Sequence, residues 1–199
     1  MTLFLNAQAI DVAAGGGDFT HRLATRDDLP ALRELMDAAI SELQRGFLDD
    51  AQIEASRTIM GIDTQLIDDG TYFVVESRGE IAGCGGWSRR ATLYGSNDTF
   101  GRDSQLLDPA VDAARVRAMY TSPAFARRGI GRLILSLCEA AAAAEGFGRL
   151  ELMATLSGEP LYTAYGFRPL EHVEDATDGA GVPVPCIRME KPVAPELLG

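Results

Sequence analysis

Histidine is scarce in this 199-residue chain, at two residues, and cysteine is little commoner, at three. His21 and His172 stand far apart, and Cys84, Cys138 and Cys186 form no CxxC pair, so no zinc-type ligand spacing can be read and no metal is expected. An odd number of scattered cysteines also excludes a disulfide framework; the three thiols read as small apolar residues. Basic residues are short as well, 18 Lys and Arg against 29 Asp and Glu, for a formal net charge of −11. A surface that followed nucleic-acid phosphates would show the opposite balance, so no nucleic-acid partner is expected. The acidic excess suits solubility and the attraction of a cationic substrate. No apolar run reaches the length of a membrane helix, so no membrane partner is expected. The opening "MTLFLNAQAIDVAAGGGDF" has no basic start and carries Asp11 in its apolar part, which makes it a poor secretory signal, and a cytoplasmic protein is expected. Residues 1–18, closing on Gly15, Gly16 and Gly17, are expected to be a flexible leader, with 19–199 as one domain.

What remains is ordinary globular material, with 46% hydrophobic and 24% charged residues. "HRLAT" (21–25) alternates as a strand, and Thr25 and Asp28 have capping-box spacing, with Thr25 able to accept from a free backbone N–H. Leu32, Leu35, Met36, Ala39, Ile40 and Leu43 then recur on one face of a helix. A second helical region is predicted over 50–69, broken near Gly61. Two β-rich runs, 71–76 and 80–88, flank Ser77-Arg78-Gly79 as a hairpin, and glycines 83, 85 and 86 predict a bulge or a close backbone approach. Residues 89–113 form a long connection, read equally as a lid or substrate-side wall and as a plain surface excursion. A strand at 114–122, a helix from Ile130 through Leu133, Ile134, Leu137, Cys138 and Ala141 to a Gly146 stop, and a strand at 149–155 follow. A short helix at 158–165, a turn at 179–185 and a last strand, "CIRMEKP", complete a mixed α/β order.

The most informative stretch is "TSPAFARRGIGRLIL" (121–135). A P-loop would need a Lys-Ser/Thr after its glycines, and a dinucleotide fingerprint would need a third glycine where Ile134 stands. A bare strand-to-helix turn would explain a lone GxG. Helix N-termini, however, leave backbone N–H groups unpaired and partially positive, and glycine lets a phosphate approach them. Arg127, Arg128 and Arg132 add charge at the same point, so the segment reads as a pyrophosphate cradle.

Ala126-Arg127-Arg128-Gly129-Ile130-Gly131 resembles the acetyl-CoA loop, Q/R-x-x-G-x-G/A, of the GCN5-related N-acetyltransferases, with Ala126 in place of the usual Gln or Arg. "PLYTAYGF" (160–167) is similar to the family's late LYxxxGF signature, and the opening strand–helix and the 71–88 hairpin look like its first elements, so that residues 19–193 are covered. The resemblance implies a mixed, mostly antiparallel twisted sheet flanked by helices, with a splay between two central strands. It implies acetyl-CoA as cosubstrate, held by Met119, Tyr120 and Thr121, by Arg127, Arg128, Gly129, Ile130, Gly131 and Arg132, and by Thr155, which stands where many relatives have asparagine. A backbone N–H near the splay would polarise the thioester carbonyl. Tyr162 would be the general acid. Glu151 is the nearest acidic candidate for a base, with pairing to a strand arginine at least as good a reading of it. Trp87, Arg89, Arg90 and Tyr94 fall where relatives build the acceptor pocket. The implied reaction is acetyl transfer to a primary amine of a small molecule or peptide; the alternative is a non-catalytic acyl-CoA-binding or regulatory domain. Nothing in the pattern fixes the acceptor or the oligomeric state, for which a homodimer is the default expectation.

Overall fold

The computed structural model describes residues 19–97, 99, 102–175 and 182–198. The expected leader, 1–18, and part of the expected turn at 179–185 lie outside them. The strands are β1 (Phe19–Leu23), β2 (Tyr72–Ser77), β3 (Glu80–Ser88), β4 (Ala114–Thr121), β5 (Arg149–Thr155), β6 (Arg168–Asp175) and β7 (Val184–Pro192). The helices are α1 (Leu29–Leu43), α2 (Asp50–Ile59), α3 (Thr64–Asp68), α4 (Ile130–Ala144) and α5 (Glu159–Tyr165). All seven strands join one sheet in the order β1-β2-β3-β4-β5-β7-β6, and among neighbours only β4 and β5 run parallel.

Side-chain alternation divides the core between the two faces of this sheet. Phe73, Val75, Trp87, Val116, Leu150 and Leu152 meet α4, whose Ile130, Ile134, Leu137 and Cys138 are buried against them. Tyr72, Val74, Cys84 and Tyr120 point the other way, onto Leu32, Leu35, Met36, Ala39 and Ile40 of α1 and onto α2 and α3. The three cysteines are buried and form no disulfide with one another, in keeping with their reading as apolar residues. Among the described residues no helix is long and apolar enough to cross a membrane.

Local chemistry accounts for the element boundaries. The backbone N–H and the hydroxyl of Thr25 both donate to Asp28 Oδ2, at 2.7 and 3.1 Å, which fixes the entry into α1. Arg78 (φ 53°) and Gly79 (φ 85°) make the two-residue turn of the β2–β3 hairpin, both left-handed, as a type I′ turn requires. α4 stops at Gly146 (φ 88°), where the N–H groups of Gly146 and Phe147 return to the carbonyls of Ala143 and Ala142. Its buried circumference is wider than one apolar stripe, because Glu139 is also buried, bonded by Tyr165, Lys191 and the backbone of Ala194.

Two irregularities shape the centre of the sheet. β4 and β5 pair only at Ala114–Leu150 and Arg115–Glu151, after which the strands part. On the other edge of β4, Cys84 faces Tyr120 and Gly86 faces Arg117, so Ala118 and Met119 together oppose Gly85, a β-bulge with Ala118 at φ 51°. The expected close approach by the β3 glycines is present. A Cβ on Gly85 would lie 2.7 Å from Ile134 Cγ2, and one on Gly86 would lie 2.5 Å from the Thr71 carbonyl oxygen.

Candidate active site

A cavity of about 720 Å³ opens where β4 and β5 diverge. One end is made by the loop before α4, the first turn of α4, and α5. The other is made by the end of α1, the end of α2 and the tip of the long connection after β3.

At the first end, α4 begins without a side-chain cap and without an acidic residue in its first turn. α2 and α3, by contrast, are closed by Asp49 and Asp63 accepting from Gln52 and Gln65 N–H groups. The first intrahelical bond of α4 runs from Leu133 N–H to the Gly129 carbonyl, so the N–H groups of Gly129, Ile130, Gly131 and Arg132 have no helical partner. Gly129 holds φ +87°, and a Cβ there would meet nothing within 4 Å: the space beside these donors is open. Gly131 lines the cavity too, but its missing Cβ serves α5, since Leu161 Cδ2 would lie 2.6 Å away. Bare donors, open space and a left-handed glycine fit a phosphate-bearing cofactor.

Most of the expected cofactor residues meet here: Met119, Tyr120, Thr121, Arg127, Gly129, Ile130, Gly131, Arg132 and Thr155 all line the cavity. Arg128 does not. Its guanidinium lies over Phe19 and Phe125, 5.1 and 5.2 Å from the ring centroids, on the outer side of the loop. The Thr155 hydroxyl is engaged locally, 3.2 Å from Ser157 Oγ and accepting from Gly158 N–H. Tyr162 lines the cavity, half-buried, with its ring edge-on to Phe167. Among the described residues its hydroxyl has no hydrogen-bond partner, and burial, with a smaller effect of Cys138, pushes its ionisation well above the usual phenol range.

Other expected site residues stand away from the cavity, and for Glu151 the alternative reading, pairing with strand arginines, is the one present. Glu151 does not line the cavity. It is buried, with its two carboxylate oxygens taken by Arg115 and Arg188, because β4, β5 and β7 bring these three side chains onto one patch of the sheet. Trp87 is a core residue, edge-on to Phe147 at 5.9 Å. Arg89 stacks over Trp87 and pairs with Glu145 at 2.9 Å. Arg90 grips Asp69 with two hydrogen bonds of 2.6 and 2.8 Å, holding that carboxyl below its ordinary range. Of the four acceptor-side candidates, only Tyr94 reaches the cavity.

The long connection is a wall. Its arms pair through Ala91 N–H to Gln105 O and Leu107 N–H to Arg89 O, and its tip, Leu93 to Gly95, closes the second end of the cavity. The tip is pinned from beneath: Arg117 Nη2 donates to the Gly95 carbonyl at 2.6 Å and lies 2.9 Å from Asp63, which Arg102 also bonds at 2.7 Å. Sequence reading missed this buried cluster, and it missed Tyr72, whose hydroxyl donates to the Ala118 carbonyl at 2.7 Å and holds the bulge. A charge pair 54 residues apart leaves no local signal, and Tyr72 reads as one more strand aromatic.

A family model for the acetyltransferase (GNAT) domain matches residues 68–169. The chain belongs to the GNAT family. It is therefore an acetyltransferase, and the match spans β2 to the start of β6, the whole cavity frame except the helices before β2. The GCN5-related N-acetyltransferase from Rhodopseudomonas palustris superposes with a TM-score of 0.64 at 16% identity, covering 87% of this chain and 94% of its own. The PaiA N-acetyltransferase of Thermoplasma acidophilum, in complex with coenzyme A, gives 0.59 at 14% identity, with coverage of 87% and 98%. YncA of Salmonella typhimurium, with acetyl-CoA, gives 0.58 at 18% identity, with coverage of 90% and 96%. At these identities the likeness speaks for the fold. No curated protein matches this GNAT domain by sequence.

Proposed function

We propose that this GNAT domain, an acetyl-CoA-dependent N-acetyltransferase, works by direct attack of a primary amine in the β4–β5 cavity, with Tyr162 as general acid. The observation that carries the reading is the uncapped start of α4, four unpaired N–H groups beside open space at the mouth of the splay. Those groups, with Arg127 and Arg132, would hold the cofactor's pyrophosphate. The free edge of β4 past Arg115 leaves main-chain groups of Met119 and Thr121 available for pantetheine amides. That two solved relatives in fold carry CoA or acetyl-CoA supports the assignment.

The bound thioester supplies an activated acetyl group; the chain supplies position and protons. The Ala118–Met119 bulge, held by Tyr72, interrupts the β3–β4 ladder beside the splay, where a backbone N–H freed from pairing would stabilise a developing oxyanion. Tyr162 is kept protonated by burial, and among the described residues its hydroxyl makes no hydrogen bond, so its proton would be available to the departing sulfur. No carboxylate or imidazole lines the cavity among the described residues, so a base of the protein's own is not part of the proposal. The amine's proton would pass to solvent water instead.

Thermal unfolding with acetyl-CoA is the test. At a concentration about 100 times its dissociation constant the ligand should add about 2.7 kcal/mol, a rise in Tm of about 5–10 °C for a chain this size. No shift sinks the cofactor assignment.

A further inference from the structure

The sequence's acidic balance suggests a cationic substrate, yet the acceptor end of the cavity presents the opposite character. The side chains facing it are Leu43, Phe47, Met60, Leu93 and Tyr94, with Phe47 about half exposed at the rim. Among the described residues the charged side chain lining this end is Arg117; Arg127 and Arg132, the other cavity-lining charges, belong to the start of α4 at the opposite end.

The polar groups at this end are committed to the protein. Gln44 Nε2 contacts Met60 Sδ at 3.6 Å, and Gln44 Oε1 accepts from Ser157 Oγ at 3.0 Å. Arg117 is tied to Gly95 and Asp63, as described above, and Asp63 is itself sealed off at 1% exposure. Tyr120, buried at the floor, is held near the backbone of Gly61. A polyamine or a lysine-rich peptide entering here would lose water around each extra ammonium, meet no carboxylate among the described residues, and face the Arg117 guanidinium. An aliphatic or aromatic body would instead gain burial against five apolar or aromatic side chains.

We infer that the acceptor is a monoamine on an apolar or aromatic body, selected by the wall of Leu43, Phe47, Met60, Leu93 and Tyr94, and that polycationic amines are excluded. The inference rests on the acetyltransferase reading above and goes further by naming the acceptor class. One amine reacts, the acetyl–sulfur bond breaks as the acetyl–nitrogen bond forms, and the amine's proton leaves with solvent while the thiol takes one.

The experiment measures thiol release with acetyl-CoA and either 2-phenylethylamine or spermidine, alongside acetyl-CoA-dependent thermal stabilisation. The expected result is a kcat/KM for phenylethylamine roughly tenfold or more above that for spermidine. Phe47→Asp, at an exposed position on the rim, places a carboxylate at the entrance. It should narrow or invert the preference while acetyl-CoA still stabilises the variant. Equal or better turnover of spermidine by the native chain overturns the inference, as does an unchanged preference in Phe47→Asp. Stabilisation by acetyl-CoA with turnover of neither amine overturns the acceptor class alone. Absence of stabilisation overturns the cofactor reading beneath it.

Discussion

Glu151 illustrates how a single residue type misleads. A carboxylate on a central strand of an acetyltransferase invites the role of base, and the sequence offers no nearer acid. Its neighbours decide otherwise, since Arg115 comes from β4 and Arg188 from β7, and register rather than spacing brings them together. Glu151→Gln should therefore lower stability by about 1–3 kcal/mol, by leaving two guanidinium groups without their shared anion. Its kcat for acetyl transfer should stay close to that of the native chain. Urea midpoints and steady-state rates on the same preparation separate the two effects; a collapsed kcat at native stability would return Glu151 to the chemistry. Trp87, Arg89 and Arg90 failed as acceptor residues for a similar reason, each having a partner from a distant element. The position of Tyr162 was legible because its signature is local; it lines the cavity, and among the described residues its hydroxyl has no hydrogen-bond partner.

Elements whose causes lie within a few residues could be read directly. The α1 stripe, the Arg78-Gly79 turn and the Gly146 stop are of this kind, and each stands within a residue or two of its expected place. The bulge in β4 could not be read. "RVRAMYT" contains no glycine, and Ala118 takes its left-handed conformation where the β3–β4 register shifts, with its carbonyl held by the Tyr72 hydroxyl. The glycines of β3 were visible as a sign of close approach, but their partners were not. Gly86 is the tightest against backbone, and a methyl group there would meet the Thr71 carbonyl. Gly86→Ala should cost about 1–3 kcal/mol by forcing β2 and β3 apart, read as a lower denaturant midpoint with an unchanged m-value. A midpoint equal to that of the native chain would show that the hairpin can shift at no cost. The two glycines of the GxG pair also divide differently from expectation. Gly129 supplies the left-handed turn into open space, whereas Gly131 makes room for Leu161 of α5.

Across the whole molecule, the sheet and its covering helices followed from pattern and family resemblance, and so did the position of the glycine loop before α4 beside the cavity. The opposite end of the cavity did not, because it is assembled from the ends of α1 and α2 and part of a connection with little periodicity. Net charge was a poor guide for the same reason: the surface as a whole is acidic, while the charges lining the cavity are basic. What unites the molecule is one opening in one sheet, where a bare helix start, a bulged strand and a protonated phenol converge. Acetyl transfer by native protein and by Tyr162→Phe, each paired with acetyl-CoA-dependent thermal stabilisation, tests that convergence most directly. The account predicts stabilisation in both and a kcat about 10²–10⁴-fold lower in the variant. Turnover by Tyr162→Phe within roughly twofold of native, well below any loss expected of a general acid, would contradict it.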